Sequence, residues 1–321
     1  MRSYMRLAGQ LFNQPLLTTP DVLDMAVRWA NQAMSLNIIN LAPSAEPRIW
    51  HDDDDAAERH AARLAREEEQ RRSNLQATGV QVIPVHGLLV SRAAHLNVCE
   101  TMTSYEGLRN QLRQAVADPL VERIVLDIDS PGGSATGAFE LAADLRAMAL
   151  QKPITGIVNF TAHSGGYLIG AACSELVLSR TSCLGSIGVI AKHMDRSAML
   201  EKAGIKVTTV YAGAHKNDLS STEPLTEQSM KFLHDLVNEG YEMFTQAVAE
   251  YRGLSVAAVR ATEAGVFSGQ AAIDAGLADR LETPTDALDG ITRAVAASRA
   301  NRPQAARLSV RAAAAAVQSQ L

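Results

Sequence analysis

The sequence predicts an α/β protein with a parallel sheet, and three observations carry that expectation. Short apolar, β-branched runs alternate with helix-period stretches from Val80 onward. Two glycine-rich turns each join the end of a run to the start of a helix. An apolar content of 47% over 321 residues is enough to bury a sizeable core.

The elements follow in order. Residues 80–87 read as a strand entering a turn, and 105–117 carry helical periodicity that stops before Asp118 and Pro119. Residues 123–128 read as a strand, 135–148 as a helix and 154–159 as a strand. A helix is expected over 164–173, strands over 176–178 and 207–211, and a long helix over 226–251. Strand, helix, strand in succession implies parallel crossovers.

This globular part is expected to span 78–285. Before it, 1–50 read as an N-terminal arm, with Thr19 as an N-cap and Pro20 at the first helical position. Residues 51–77, from the run Asp52, Asp53, Asp54 and Asp55 to Arg71 and Arg72, read as a charged helix or linker. After it, 286–321 read as an alanine-rich helical tail.

Composition narrows the function. A net charge of −5 with no isolated cluster of Lys and Arg gives no footprint for nucleic acid. Cys99, Cys173 and Cys183 show neither a disulfide framework nor zinc-ligand spacing, which suits a reducing compartment and predicts no metal or cofactor. The N-terminus lacks the apolar core of a signal peptide, because Gln10, Asn13, Gln14 and Pro15 interrupt it. The longest uncharged run, 153–174, is too polar to span a bilayer. These readings together lead us to expect a cytosolic or particle-associated protein.

The chemistry gathers at the two turns, Asp129-Ser130-Pro131-Gly132-Gly133 and Ala162-His163-Ser164-Gly165-Gly166. A serine between a strand and a helix, with glycines behind it, can meet a substrate carbonyl while nearby backbone N–H groups hold the oxyanion. Either turn alone also fits an ordinary strand-to-helix connection. A serine nucleophile needs a base, and a lysine serves when burial lowers its pKa toward neutrality. Of six lysines, Lys216 stands out, in the loop Gly213-Ala214-His215-Lys216-Asn217-Asp218 after an expected strand. His163 and His215 also raise a Ser-His-Asp alternative with Asp129 or Asp218, disfavoured because a neighbour of the nucleophile points its side chain elsewhere. Cys173 reads as an inert core thiol.

Five ordered motifs make a more specific signal. They are the Asp129–Gly133 turn, Ser164-Gly165-Gly166-Tyr167, Leu184-Gly185-Ser186-Ile187-Gly188-Val189, the His215-Lys216 loop, and Val266-Phe267-Ser268-Gly269-Gln270 followed by Gly276-Leu277-Ala278-Asp279. From about Val80 to Thr283 the chain resembles the peptidase family that holds signal peptide peptidase A and the prohead proteases of lambda-like phages. The separations of 52 residues from Ser164 to Lys216 and 22 from Ser164 to Ser186 match that family's layout.

The resemblance implies a ClpP/crotonase-like fold of repeated β-β-α units, with Ser164 as nucleophile, Lys216 as general base and Ser186 as the hydroxyl that orients the lysine. It places the oxyanion-hole amides at Gly133 and Gly165. It implies a serine endopeptidase of the phage capsid-maturation type acting on capsid, scaffold or portal proteins. It further implies a homo-oligomeric ring in which Ser164 meets a neighbour's Lys216. The competing readings are a soluble signal-peptide-peptidase-like protease, a crotonase-fold acyl-CoA enzyme and an inactive capsid component. The acyl-CoA reading leaves the Ser-Lys pair unexplained, and the inactive reading leaves the joint spacing to chance.

Overall fold

Apolar runs with a buried residue on both faces need helices on both sides, and β4 (Arg123–Ser134) is such a run at the centre of this chain. A computed structural model describes residues 15–19, 54–92 and 102–318. Around β4 lie β1 (Leu16–Thr18), α1 (Asp54–Thr78), β2 (Val80–Val90), β3 (Met102–Ser104), α2 (Tyr105–Ala117), α3 (Ala138–Ala149) and β5 (Ile154–His163). They are followed by α4 (Gly165–Ala171), β6 (Glu175–Leu178), β7 (Cys183–Gly185), α5 (Ser197–Lys202), α6 (Glu227–Arg252) and α7 (Val256–Arg260). The last elements are β8 (Val266–Ser268), α8 (Gln270–Asp274), β9 (Arg280–Leu281) and α9 (Pro284–Gln318).

The described strands form one sheet whose main path runs β3-β2-β4-β5-β6-β9, parallel at every step. β7 extends β5 in parallel, while β1 and β8 are antiparallel additions to β4 and β7. The mostly parallel α/β architecture expected from the alternation is therefore present, as a ClpP-like fold.

One face of the sheet carries the larger core, in which Ile124, Leu126 and Ile128 of β4 meet Leu108 and Leu112 of α2, Leu141 and Leu145 of α3, Leu168 of α4 and Phe244 of α6. The opposite face carries a smaller cluster among the described residues. There Val80, Val125, Ile157 and Val177 pack against Ala287 and Val295 of α9. Arg299 ties that helix to the rest, donating to Glu122 Oε1 at 2.6 Å and to the Gln76 carbonyl at 2.9 Å.

Helix starts follow local capping chemistry. Ser104 accepts from the Gly107 N–H at the start of α2, and Thr226 from the Ser229 N–H at the start of α6, whose end is capped by Gly253 at φ 65. Two expectations differ from what is found. α3 begins at Ala138 rather than 135, since β4 runs on through Ser134. Residues 207–211 form no strand; they are exposed and irregular, with Val210 93% accessible. A strand needs a neighbour to pair with, and this segment has none among the described residues. The helix expected after Thr19 lies outside the described residues, as does Cys99.

Candidate active site

β5 ends at His163, whose partner on β7 is Gly185. The next residue on each strand is a serine, and both Ser164 and Ser186 have φ 53. Adjacent strands are about 4.8 Å apart, so the two hydroxyl-bearing residues leave the sheet side by side. Ser164 has φ 53 and ψ −116, a conformation that costs a non-glycine residue about 1–3 kcal/mol. Flanking bonds hold it there: its N–H donates to the Gly185 carbonyl at 2.8 Å, and its own carbonyl accepts from the Leu168 N–H at 3.0 Å. The Ser186 N–H donates to the Gly265 carbonyl at 2.9 Å.

Helix α4 is fixed from behind. Tyr167 is fully buried and its hydroxyl donates to the Leu277 carbonyl at 3.0 Å. The adjoining Asp279 accepts the Leu176 N–H at 2.7 Å and both terminal nitrogens of Arg252 at 2.7 and 2.8 Å. The motif at 276–279 thus braces the helix that begins at Ser164.

Glycine is required where the two turns meet. A Cβ on Gly133 would lie 1.9 Å from the Leu89 carbonyl oxygen, and one on Gly166 2.9 Å from that of Ser130. Gly132 has φ 97, and its added Cβ would come 2.9 Å from the Gly165 nitrogen, while one on Gly165 would be 3.5 Å from the Gly133 nitrogen. The Gly133 and Gly165 amides are therefore neighbours beside Ser164.

Lys216 stands apart from them. It is exposed, its side chain makes no hydrogen bond or ion pair with any described residue, and the whole stretch 201–216 is exposed with it. The single chain therefore brings Ser164, Ser186, Gly133 and Gly165 together without the lysine. Its loop is nonetheless anchored. Asp218 accepts from His215 Nδ1 at 2.7 Å, Gln228 Nε2 at 2.9 Å and Ser229 Oγ at 3.0 Å. The bond from His215, and then that from Gln228, hold the Asp218 carboxyl below its usual range.

The histidines are accounted for separately. His215 is engaged with Asp218. His163 has its Nε2 buried without a partner among the described residues, and burial lowers its pKa. Among the described residues neither is bonded to Ser164, whose Oγ donates a long bond to the Gly188 carbonyl at 3.4 Å. Burial pushes the Cys173 thiol up to about 12, which leaves it a poor nucleophile. Among the described residues no group of three or more His, Cys, Asp or Glu side chains could hold a metal ion, and no helix is long and apolar enough to cross a membrane.

Two contributions escaped sequence reasoning. The sequence offers Asp218 as a triad acid, whereas in the fold it organises the lysine loop. β1 pairs with the Gly132–Ser134 end of β4, and a three-residue apolar run gives no periodicity by which to find it.

Residues 146–298 match the model of Peptidase family S49. Over 217 residues the chain is 42% identical to the head-tail preconnector protein GP5 of Enterobacteria phage P21, covering 68% of this chain and 43% of that protein. Over 293 residues it is 37% identical to the capsid assembly protease C of Escherichia phage lambda, covering 90% of this chain and 65% of that protein. It is 28% identical over 213 residues to a putative signal peptide peptidase SppA of Enterococcus faecium, covering 66% and 62%. The chain thus spans less than two thirds of the length of each of these relatives. The matched segment contains Ser164, Ser186 and Lys216, and by it the chain carries a Peptidase family S49 domain.

Proposed function

We propose that this protein is a serine endopeptidase of the phage capsid-assembly type, using Ser164 as nucleophile and Lys216 as general base. The observation that carries the reading is the strained Ser164, held at φ 53 and ψ −116 between a strand and a helix, with Ser186 at the end of the adjoining strand. The phage relatives, at 37–42% identity, favour capsid-assembly proteins as substrates over signal peptides.

Ser164 Oγ attacks the substrate carbonyl carbon as its proton passes to the Lys216 amine. The oxyanion accepts from the Gly133 and Gly165 N–H groups. The C–N bond breaks as Lys216 returns the proton to the leaving amine, and water then hydrolyses the acyl-serine by the same route in reverse. Ser186 accepts or donates a hydrogen bond at the lysine nitrogen and so restricts a long side chain to one rotamer.

Exposure of Lys216 and of its whole segment in the single chain supports a base supplied by a neighbouring copy in a homo-oligomeric ring. Ile205, Val207, Val210 and Tyr211 present apolar surface on that segment, as an interface would require. Burial there would also remove the amine from water, as a lysine base needs.

The experiment is incubation of wild-type and Ser164→Ala protein with phage capsid, scaffold and portal proteins, followed by mapping of new termini by mass spectrometry. New termini with wild type alone are expected. Equal cleavage by Ser164→Ala would remove the assignment.

A further inference from the structure

Strand β1 lies in a slot with a wall on each side. On one side it runs antiparallel to β4, with Leu16 opposite Ser134, Leu17 opposite Gly133 and Thr18 opposite Gly132. On the other, the Leu16 N–H donates to the Ile190 carbonyl at 2.9 Å and the Leu16 carbonyl accepts from the Ile190 N–H at 3.1 Å. In extended chain, the N–H and C=O of one residue point to one side and those of the next residue to the other. Leu16 faces Ile190, so Leu17 faces Gly133 and its carbonyl points at the Gly133 N–H. The alternation continues at Pro15, whose carbonyl accepts from the Ala135 N–H at 3.4 Å.

The Leu17 oxygen also lies where a Cβ on Gly132 would come within 1.9 Å of it and one on Gly165 within 3.3 Å. That carbonyl is surrounded by the glycines assigned above to the oxyanion, and Ser164 beside them has no exposed surface. Here the inference rests on the peptidase reading of the site.

We propose that Pro15–Thr18 is a built-in occupant of the peptide groove. It is seated in the register of a substrate's acyl half, with Leu17 as the residue before the position of the scissile bond, and it closes the site until it leaves. A peptide added as a strand between β4 and Ile190 would make the same backbone bonds. Its residue at the Leu17 position would pair with Gly133, the preceding residue with Ile190 and the one before that with Ala135. Leu16 and Leu17 are both buried, so the groove takes an apolar pair. The fit is not that of a finished structural strand: Thr18 Oγ1 is buried with no partner among the described residues, a defect that counts against the seated strand.

A tethered occupant competes at an effective concentration of about 1 mM, and with an intrinsic Kd on the order of 0.1 mM it weakens binding in trans about tenfold. The test uses the full chain with Ser164→Ala, so that nothing is turned over, and a fluorescein-labelled peptide of residues 13–19, Asn-Gln-Pro-Leu-Leu-Thr-Thr. Anisotropy should show the peptide binding about tenfold more tightly when Leu17→Asp is added to release the strand. Leu16→Pro is the second release variant; it deletes the N–H that bonds Ile190 without placing a charge in the core. Thermal unfolding checks that each variant is native. Equal affinity for the closed chain and a folded release variant overturns the proposal. So does failure of both variants to fold, which would make β1 a structural strand. Failure of the Ser-Lys assignment would appear separately, as peptide cleavage by the Ser164→Ala chain.

Discussion

Ser164 and Ser186 leave neighbouring parallel strands one residue beyond the paired His163 and Gly185, and both adopt φ 53. The sheet itself therefore sets their separation. In a Ser-Lys peptidase the two hydroxyls flank the lysine nitrogen, one losing its proton to it and the other steering it. Ser164→Ala and Lys216→Ala are each expected to lower kcat/KM by at least about 10³-fold, and the double variant by no more than either alone, since losses within one proton-transfer unit do not add. Ser186→Ala should cost up to about 10²-fold, the scale of a misplaced catalytic group. Steady-state kinetics on a cleavable peptide measures all four, and near wild-type activity in Lys216→Ala would make another group the base.

Strain at Ser164 predicts a stability effect opposite to the activity effect. Ser164→Gly should be inactive yet at least as stable as Ser164→Ala, because glycine adopts φ 53, ψ −116 without the Cβ penalty. Denaturant midpoints compare the pair. A Ser164→Gly chain less stable than Ser164→Ala by 1 kcal/mol or more, about the size of the strain itself, would mean that the turn is not strained.

Asp218 gives a pH dependence. Its carboxyl is depressed in the fold by His215 and then Gln228, so its contribution is present above the unfolded value of about 3.9 and is lost as pH falls through the lower, folded value. Below that folded value, and in Asp218→Asn at neutral pH, amides of residues 213–219 should exchange faster after correction for intrinsic rates. The Asn variant should also be slower in turnover, with its base less well held. Unchanged exchange in Asp218→Asn would separate the carboxylate from the loop.

The brace behind α4 is expected to show in stability. Tyr167→Phe removes the hydroxyl that bonds the Leu277 carbonyl in a fully buried site, at a cost of about 1 kcal/mol. For a domain of this size that is roughly 2–4 °C in Tm. Calorimetry decides it, and an unchanged Tm would mean that the carbonyl finds another partner.

The central architecture was legible because its signals are local. Residues 123–128 and 154–159 are short buried runs bounded by turns, and Gly132, Gly133, Gly165 and Gly166 mark close backbone approaches that the structure then displays. The ordered motifs carried the candidate site, and Ser164, Ser186, Gly133 and Gly165 do converge. What was not legible depends on partners distant in sequence. β1 is too short to carry a period, and its place beside Gly132–Ser134 comes from pairing with β4 and Ile190. Residues 207–211 have strand composition, but composition supplies no neighbour, and in the single chain they stay irregular. Lys216 belongs to the same class, since no local signal in 201–216, a stretch exposed in the single chain, fixes its position relative to Ser164.

Co-expression of Ser164→Ala chains with Lys216→Ala chains tests the central claim most directly. Each parent oligomer should be silent, and verified mixed oligomers should recover about a quarter of wild-type activity, because random mixing pairs an intact Ser164 with an intact neighbouring Lys216 at about one interface in four. Mixed oligomers that remain silent while both parents are folded would contradict a base supplied by the neighbouring copy. Activity in either parent alone would contradict the Ser164–Lys216 dyad itself.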